Sequence, residues 1–108
     1  MGYGFIGMHR KTDEDDVFYT SCMYSYQPIF RECFGKEITE FSGRVTKQKI
    51  SEFENGLENL KNHPESRKQD AQQMRGYIDN ITFDELISDL YRLLELMKNK
   101  EVGYLSIA

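Results

Sequence analysis

Four side chains in the sequence could act as nucleophile, base or soft metal ligand: His9, Cys22, Cys33 and His63. A thiol beside an imidazole is the smallest unit of cysteine nucleophilic catalysis, because the imidazole must take the proton that leaves the reactive thiolate. His9 with Cys22 or Cys33 is the pair this sequence permits. No third residue is indicated that would orient the imidazole, so His9 reads as a strand histidine and the two cysteines as small buried residues. His63, beside Pro64 at a helix end, reads as a complement to the helix dipole. Structural zinc takes its His and Cys ligands in close pairs, and positions 9, 22, 33 and 63 supply none. The acidic run Asp13 to Asp16 lacks the spaced oxygen ligands, the sixth-position glycine and the closing Glu of a calcium loop, and reads as a solvated turn. Gly2, Gly4 and Gly7 precede a strand, so they form no phosphate-cradling loop. The sequence therefore assigns no catalytic residue, no metal ligand and no cofactor.

The binding chemistry is more informative. Nine of the 14 Phe and Tyr residues lie at or before Phe41, with Tyr19, Tyr24 and Tyr26 gathered around one segment. Rings with polar tips suit a core, a protein interface or stacking on a base. Arg31, Arg44 and Lys47 lie near them in sequence and could meet an anion, since guanidinium and ammonium groups form charge-assisted hydrogen bonds with phosphate. The candidate ligand-binding set is thus Tyr24, Tyr26, Arg31, Arg44 and Lys47, with surface ion pairing as the default role of the three cations.

The elements that position these residues follow from periodicity. Tyr3 to Arg10 and Val17 to Gln27 are rich in aromatic and β-branched residues on either side of the acidic stretch, which predicts a β-hairpin. A loop centred on Asp13 and Glu14 puts Tyr3, Phe5, Gly7 and His9 on one face with Phe18, Thr20, Cys22, Tyr24 and Tyr26. Apolar residues remain on the other face, which a second copy of the chain could cover. Pro28 and Gly35 bracket a short helix over 29–34. The stretch 35–44 reads as a loop or short strand. Ile50, Phe53, Leu57 and Leu60 then mark a helix that starts near Thr46 and stops before Pro64. A weaker helical pattern, with Ala71, Met74 and Tyr77, occupies 65–80. Thr82 and Glu85 form a capping box, Ile81 and Leu86 a hydrophobic staple, and Leu86, Leu90, Leu93, Leu94 and Met97 the buried stripe of a last helix. The residues 101–108 close the chain as a strand that pairs with the hairpin. The expected fold is a single α+β domain over 1–108, in which an N-terminal hairpin and a C-terminal strand form a small antiparallel sheet packed on two main helices and one or two short ones.

Composition limits the function. The 108 residues carry a net charge of −4, which opposes general nucleic-acid binding because that mode needs a Lys/Arg surplus. The charge is uneven: residues 44–75 hold seven Lys/Arg against five Asp/Glu, while the segments before and after hold four against seven and three against six. No run approaches the roughly 18 apolar residues of a membrane helix. With Arg10 and Lys11 following only a short apolar run, no export signal is expected, and the expected location is the cytoplasm.

Ser25-Tyr26-Gln27-Pro28-Ile29-Phe30 followed by Gly35, then Gly56-Leu57, Pro64-Glu65 and a Leu-rich last helix before a short strand, resembles a loose family of small bacteriophage and prophage proteins. Ser25 stands where that family carries Asn, and Asn80-Ile81-Thr82-Phe83 where it carries an Asn-Gly-Trp-Gly turn. The resemblance implies a mobile-element setting, with the host cell cytoplasm as location, and no particular activity. The expected function is that of a non-catalytic accessory protein, homo-oligomeric, which sequesters a small anionic nucleotide-like signal or blocks a host protein as counter-defence proteins do. The alternatives are a small Cys/His-dependent enzyme and a structural or assembly partner.

Overall fold

Strand β1 (Gly2–Met8) buries alternate residues, Tyr3, Phe5 and Gly7, and β2 (Phe18–Met23) buries Phe18, Thr20 and Cys22 on the same side. The two pair antiparallel with Tyr3 opposite Cys22, Phe5 opposite Thr20 and Gly7 opposite Phe18. The computed structural model describes residues 2–11, 16–63 and 82–108, so the tip of this hairpin lies outside the described residues. A loop centred on Asp13 and Glu14 would have set Tyr3 against Tyr24. The observed pairing is displaced by two residues, and because side chains alternate with period two, an even displacement leaves every residue on its expected face.

Strand β2 ends at Met23, four residues before the expected boundary. Tyr24–Tyr26 form a 3-10 turn that runs into helix α1 (Gln27–Phe34), with Pro28 in its first turn. Proline lacks the N–H that a strand needs and has the φ that a helix start needs, so the chain must leave the sheet ahead of it. Gly35 ends α1 at φ 73°, the left-handed conformation that glycine adopts without steric cost. The stretch expected as loop or short strand contains both a 3-10 turn, Ile38–Phe41, and the two-residue strand β3 (Gly43–Arg44).

Helix α2 (Lys47–Lys61) is capped by Thr46, whose hydroxyl accepts from the Lys49 amide at 3.1 Å. Helix α3 (Phe83–Lys98) carries the expected capping box: Thr82 Oγ1 accepts from the Glu85 amide at 3.2 Å and Glu85 accepts from the Thr82 amide at 3.0 Å. Its buried face includes all five expected residues, Leu86, Leu90, Leu93, Leu94 and Met97. Ile81 of the expected staple and the expected weak helix over 65–80 lie outside the described residues. Strand β4 (Tyr104–Ile107) completes an antiparallel sheet of order β2-β1-β4-β3, and the fold is α+β as expected.

The helices cover one sheet face. Between them runs a chain of buried rings: Tyr26 stacks on Phe30 at 5.7 Å, Phe30 meets Phe34 at 6.0 Å, and Phe34 meets both Phe41 and Phe53, at 5.5 and 5.6 Å. Phe34 needs room that only a glycine leaves on α2, because a Cβ on Gly56 would lie 1.9 Å from Phe34 Cδ1. Glycine in a helix interior costs about 0.5–1 kcal/mol relative to alanine, and here it admits a whole phenyl ring. Gly56→Ala is accordingly expected to destabilise the protein by about 1–3 kcal/mol despite the better helix former, as overpacked cores do. Urea unfolding checks this; an unchanged or raised midpoint would contradict the packing described.

Candidate functional site

Strand β4 lies between β1 and β3, and its first residue gathers three separate parts of the sequence. Tyr104 stands opposite Met8 on β1 and opposite Arg44 on β3. Leu105 and Ile107 are buried, so Tyr104 projects from the face away from the helices, with Arg44 beside it because directly paired residues share a face. The chain turns after Met8 through His9, Arg10 and Lys11, and this turn is tied to the approach to β4. The Gly103 amide donates to the Met8 carbonyl at 2.9 Å, and His9 Nδ1 lies 3.3 Å from the Glu101 carbonyl. A carbonyl only accepts, so Nδ1 carries the hydrogen in that contact. A Cβ on residue 103 would sit 2.6 Å from the His9 carbonyl oxygen, which makes Gly103 a condition of this close approach. On the far side the Val45 amide donates to the Gly103 carbonyl at 3.0 Å, and Ser42 Oγ both donates to the Ile107 carbonyl and accepts from the Ile107 amide, at 3.1 and 2.9 Å. These bonds hold a strand of only two residues in register.

The result is a hollow of about 300 Å³ walled by His9, Arg10, Lys11, Arg44, Gly103 and Tyr104. Among the described residues no carboxylate side chain is part of these walls. Arg44 and Lys11 meet no carboxylate among the described residues, whereas several other cations are committed: Arg31 to Glu37, Lys36 to Glu52 at 2.7 Å, and Lys98 to Glu54. Three cationic side chains thus stand around one half-buried ring in a concave site at the end of the sheet, of a size at the small end of ligand pockets.

The five residues singled out from the sequence separate. Arg44 stands in this hollow. Tyr26 does not reach solvent: it is fully buried, with Phe30 and Phe83 stacked on its ring at 5.7 and 6.5 Å, so its faces serve the core instead of a ligand. Tyr24 is half exposed and meets Tyr3 edge-on at 4.8 Å, beside a second hollow of about 370 Å³ lined by Tyr3, Tyr24, Gln27, Glu37, Thr39 and Ala108. The Glu37 carboxylate in that wall opposes an anion and holds Arg31 as its ion pair. Lys47 opens α2 as an exposed residue and lines neither hollow. Arg10, Lys11, Gly103 and Tyr104 carried no sequence signal as a site; the one hint was the expected pairing of the closing strand with the hairpin.

The thiols are set up for packing. Cys22 faces Tyr3 across the hairpin, six residues along β1 from His9, roughly 20 Å at strand rise. Burial pushes the Cys22 thiol pKa far above its ordinary value, and burial with nearby Glu32 pushes that of Cys33 up to about 11. Among the described residues no group of three or more His, Cys, Asp or Glu side chains is placed to hold a metal ion, and no helix is long and apolar enough to cross a membrane. Comparison with protein-family models, curated proteins and solved structures finds no match.

Because a thiol must ionise and be reached to react, native protein at pH 7.5 is expected to leave Cys22 and Cys33 unlabelled by iodoacetamide over a time in which free cysteine reacts fully. Both should label in urea. Rapid native labelling of either, read by peptide mass spectrometry, would return the thiol to the list of functional groups.

Proposed function

We propose that this protein is a non-catalytic binding protein whose ligand is a small anionic, nucleotide-like molecule held in the hollow of Arg10, Lys11, Arg44 and Tyr104. The observation that carries this reading is the convergence of Arg44 and Lys11, which meet no carboxylate among the described residues, on the half-buried ring of Tyr104. Phosphate oxygens meet the guanidinium and ammonium groups, and a base or other flat ring lies against Tyr104. The volume suits one mononucleotide better than a dinucleotide. Sequestration needs no proton transfer and no nucleophile. The resemblance to small phage proteins supports an accessory role in a host cell, in which the bound molecule is a signal of the host.

Isothermal titration with AMP as the probe, set against adenosine and inorganic phosphate, tests the reading. AMP should bind more tightly than either half alone, and its affinity should fall with added salt, because the phosphate contact is electrostatic. Arg44→Ala removes a charged hydrogen-bond partner and should weaken AMP about tenfold or more; Tyr104→Ala removes a stacking face and should cost about tenfold. Arg31→Ala should leave the affinity unchanged. Failure of AMP and the other nucleoside monophosphates to bind, or equal affinity in Arg44→Ala, would overturn the proposal.

A further inference from the structure

The exposed large apolar side chains among the described residues are Val17, Tyr19 and Tyr24, and all three lie on β2 or beside its ends. Among the described residues β2 is an edge of the sheet. Which of its backbone groups face outward follows from the ladder. Gly4 and Ala108 exchange both N–H···O bonds, at 2.8 and 3.1 Å, so the even residues of β1 turn their amides toward β4. The odd residues face Cys22, Thr20 and Phe18, which aims the N–H and C=O groups of Tyr19 and Ser21 away from β1. Edges of soluble proteins are commonly blunted by Lys, Pro or a bulge. The six residues Phe18–Met23 contain no charged residue and no proline.

Charge selects the occupant. On α3, Asp89 accepts the Thr20 hydroxyl at 2.8 Å, and the Arg92 guanidinium lies 5.1 Å over the Phe18 ring. One negative and one positive group thus flank the strand on either side of Tyr19. In an antiparallel pair of two β2 strands, a two-fold axis at Tyr19 sets Phe18 opposite Thr20 of the second copy. Arg92 of each copy then faces Asp89 of the other, twice. An axis at Thr20 would instead set Asp89 against Asp89. A chain of net charge −4 associates with itself through a surface on which the local charges cancel, and this edge is such a surface.

We propose that the protein forms a two-fold dimer in which β2 pairs antiparallel with β2 of a second copy, centred on Tyr19, so that two four-stranded sheets join into one of eight. The two Tyr19 residues exchange a reciprocal pair of N–H···O bonds and set their side chains next to each other on the open face. Phe18 and Thr20 share the helix-bearing face, so this register keeps the helices of both copies on one side. One short strand per copy buries a small area, which makes the dimer reversible, with a dissociation constant on the order of micromolar.

Light scattering coupled to size exclusion at about 100 μM protein, where such a dimer is largely formed, should read the mass of two chains and fall toward one chain on dilution. Tyr19→Lys sets two ammonium groups together at the axis, and Arg92→Asp turns each attraction into a repulsion; both should read as one chain at the same concentration with unchanged far-UV circular dichroism. The double variant Asp89→Lys with Arg92→Asp restores complementarity and should recover the dimer. A wild-type protein that stays at the mass of one chain, or a dimer that survives both Tyr19→Lys and Arg92→Asp, would overturn the proposal.

Discussion

The placement of β4 between β1 and β3 is the constraint on which the rest depends. A strand at the chain's far end bonds on one side to its first strand and on the other to a two-residue strand near its middle. That pairing carries the helix-facing residues Leu105 and Ile107 into the core, where they meet the layer built by α1, α2 and α3. It also carries Tyr104 into position between Met8 and Arg44. The hydrophobic layer and the cationic hollow are therefore two faces of one ladder. The hollow is preorganised to the extent that Gly103 lets β4 approach His9 and Ser42 pins β3.

The division of labour among charged side chains follows from the same frame. Where a cation lies within reach of a carboxylate on a packed neighbour, it is taken up: Glu37 holds Arg31 and caps the 3-10 turn at Ile38, and Glu52 of α2 holds Lys36, which follows the Gly35 cap of α1. Exposed pairs of this kind add little to stability, but they engage the cation. At the end of the sheet, Arg44 and Lys11 meet no carboxylate among the described residues. The sheet's opposite edge, β2, has a neutral ladder flanked by one charge of each sign, and this pattern favours association between like copies over capture of an anion.

How much of this was legible in the sequence depends on the range of the interaction concerned. Helix α3 was readable because its cap, Thr82 with Glu85, and its leucine stripe are local patterns of period three to four. The faces of the hairpin were readable even though its register was not, because only parity matters to a face. Of the five residues singled out from the sequence, Arg44 alone lines this hollow. Tyr104 is its partner from 60 positions away, and no local pattern announces that a two-residue strand will find the chain's last one. Tyr26 sits in the core, as its expected face with Phe18 and Thr20 implied, but in the turn that Pro28 imposes ahead of α1 and not on β2. Arg31 takes the surface ion pair that was its default role, with a partner, Glu37, that lies beyond the chain reversal at Gly35.

We propose that the end of the sheet around Tyr104 is where this protein meets an anion. Amide chemical-shift mapping of the 15N-labelled protein during titration with AMP tests it most directly, because it reports position without altering any residue. The account predicts that the largest shifts fall at Arg10, Lys11, Arg44, Gly103 and Tyr104, with Tyr24, Arg31 and the α1 to α2 contact unmoved. Shifts concentrated at Tyr3, Tyr24 and Thr39, or none at any nucleotide concentration reached, would contradict it.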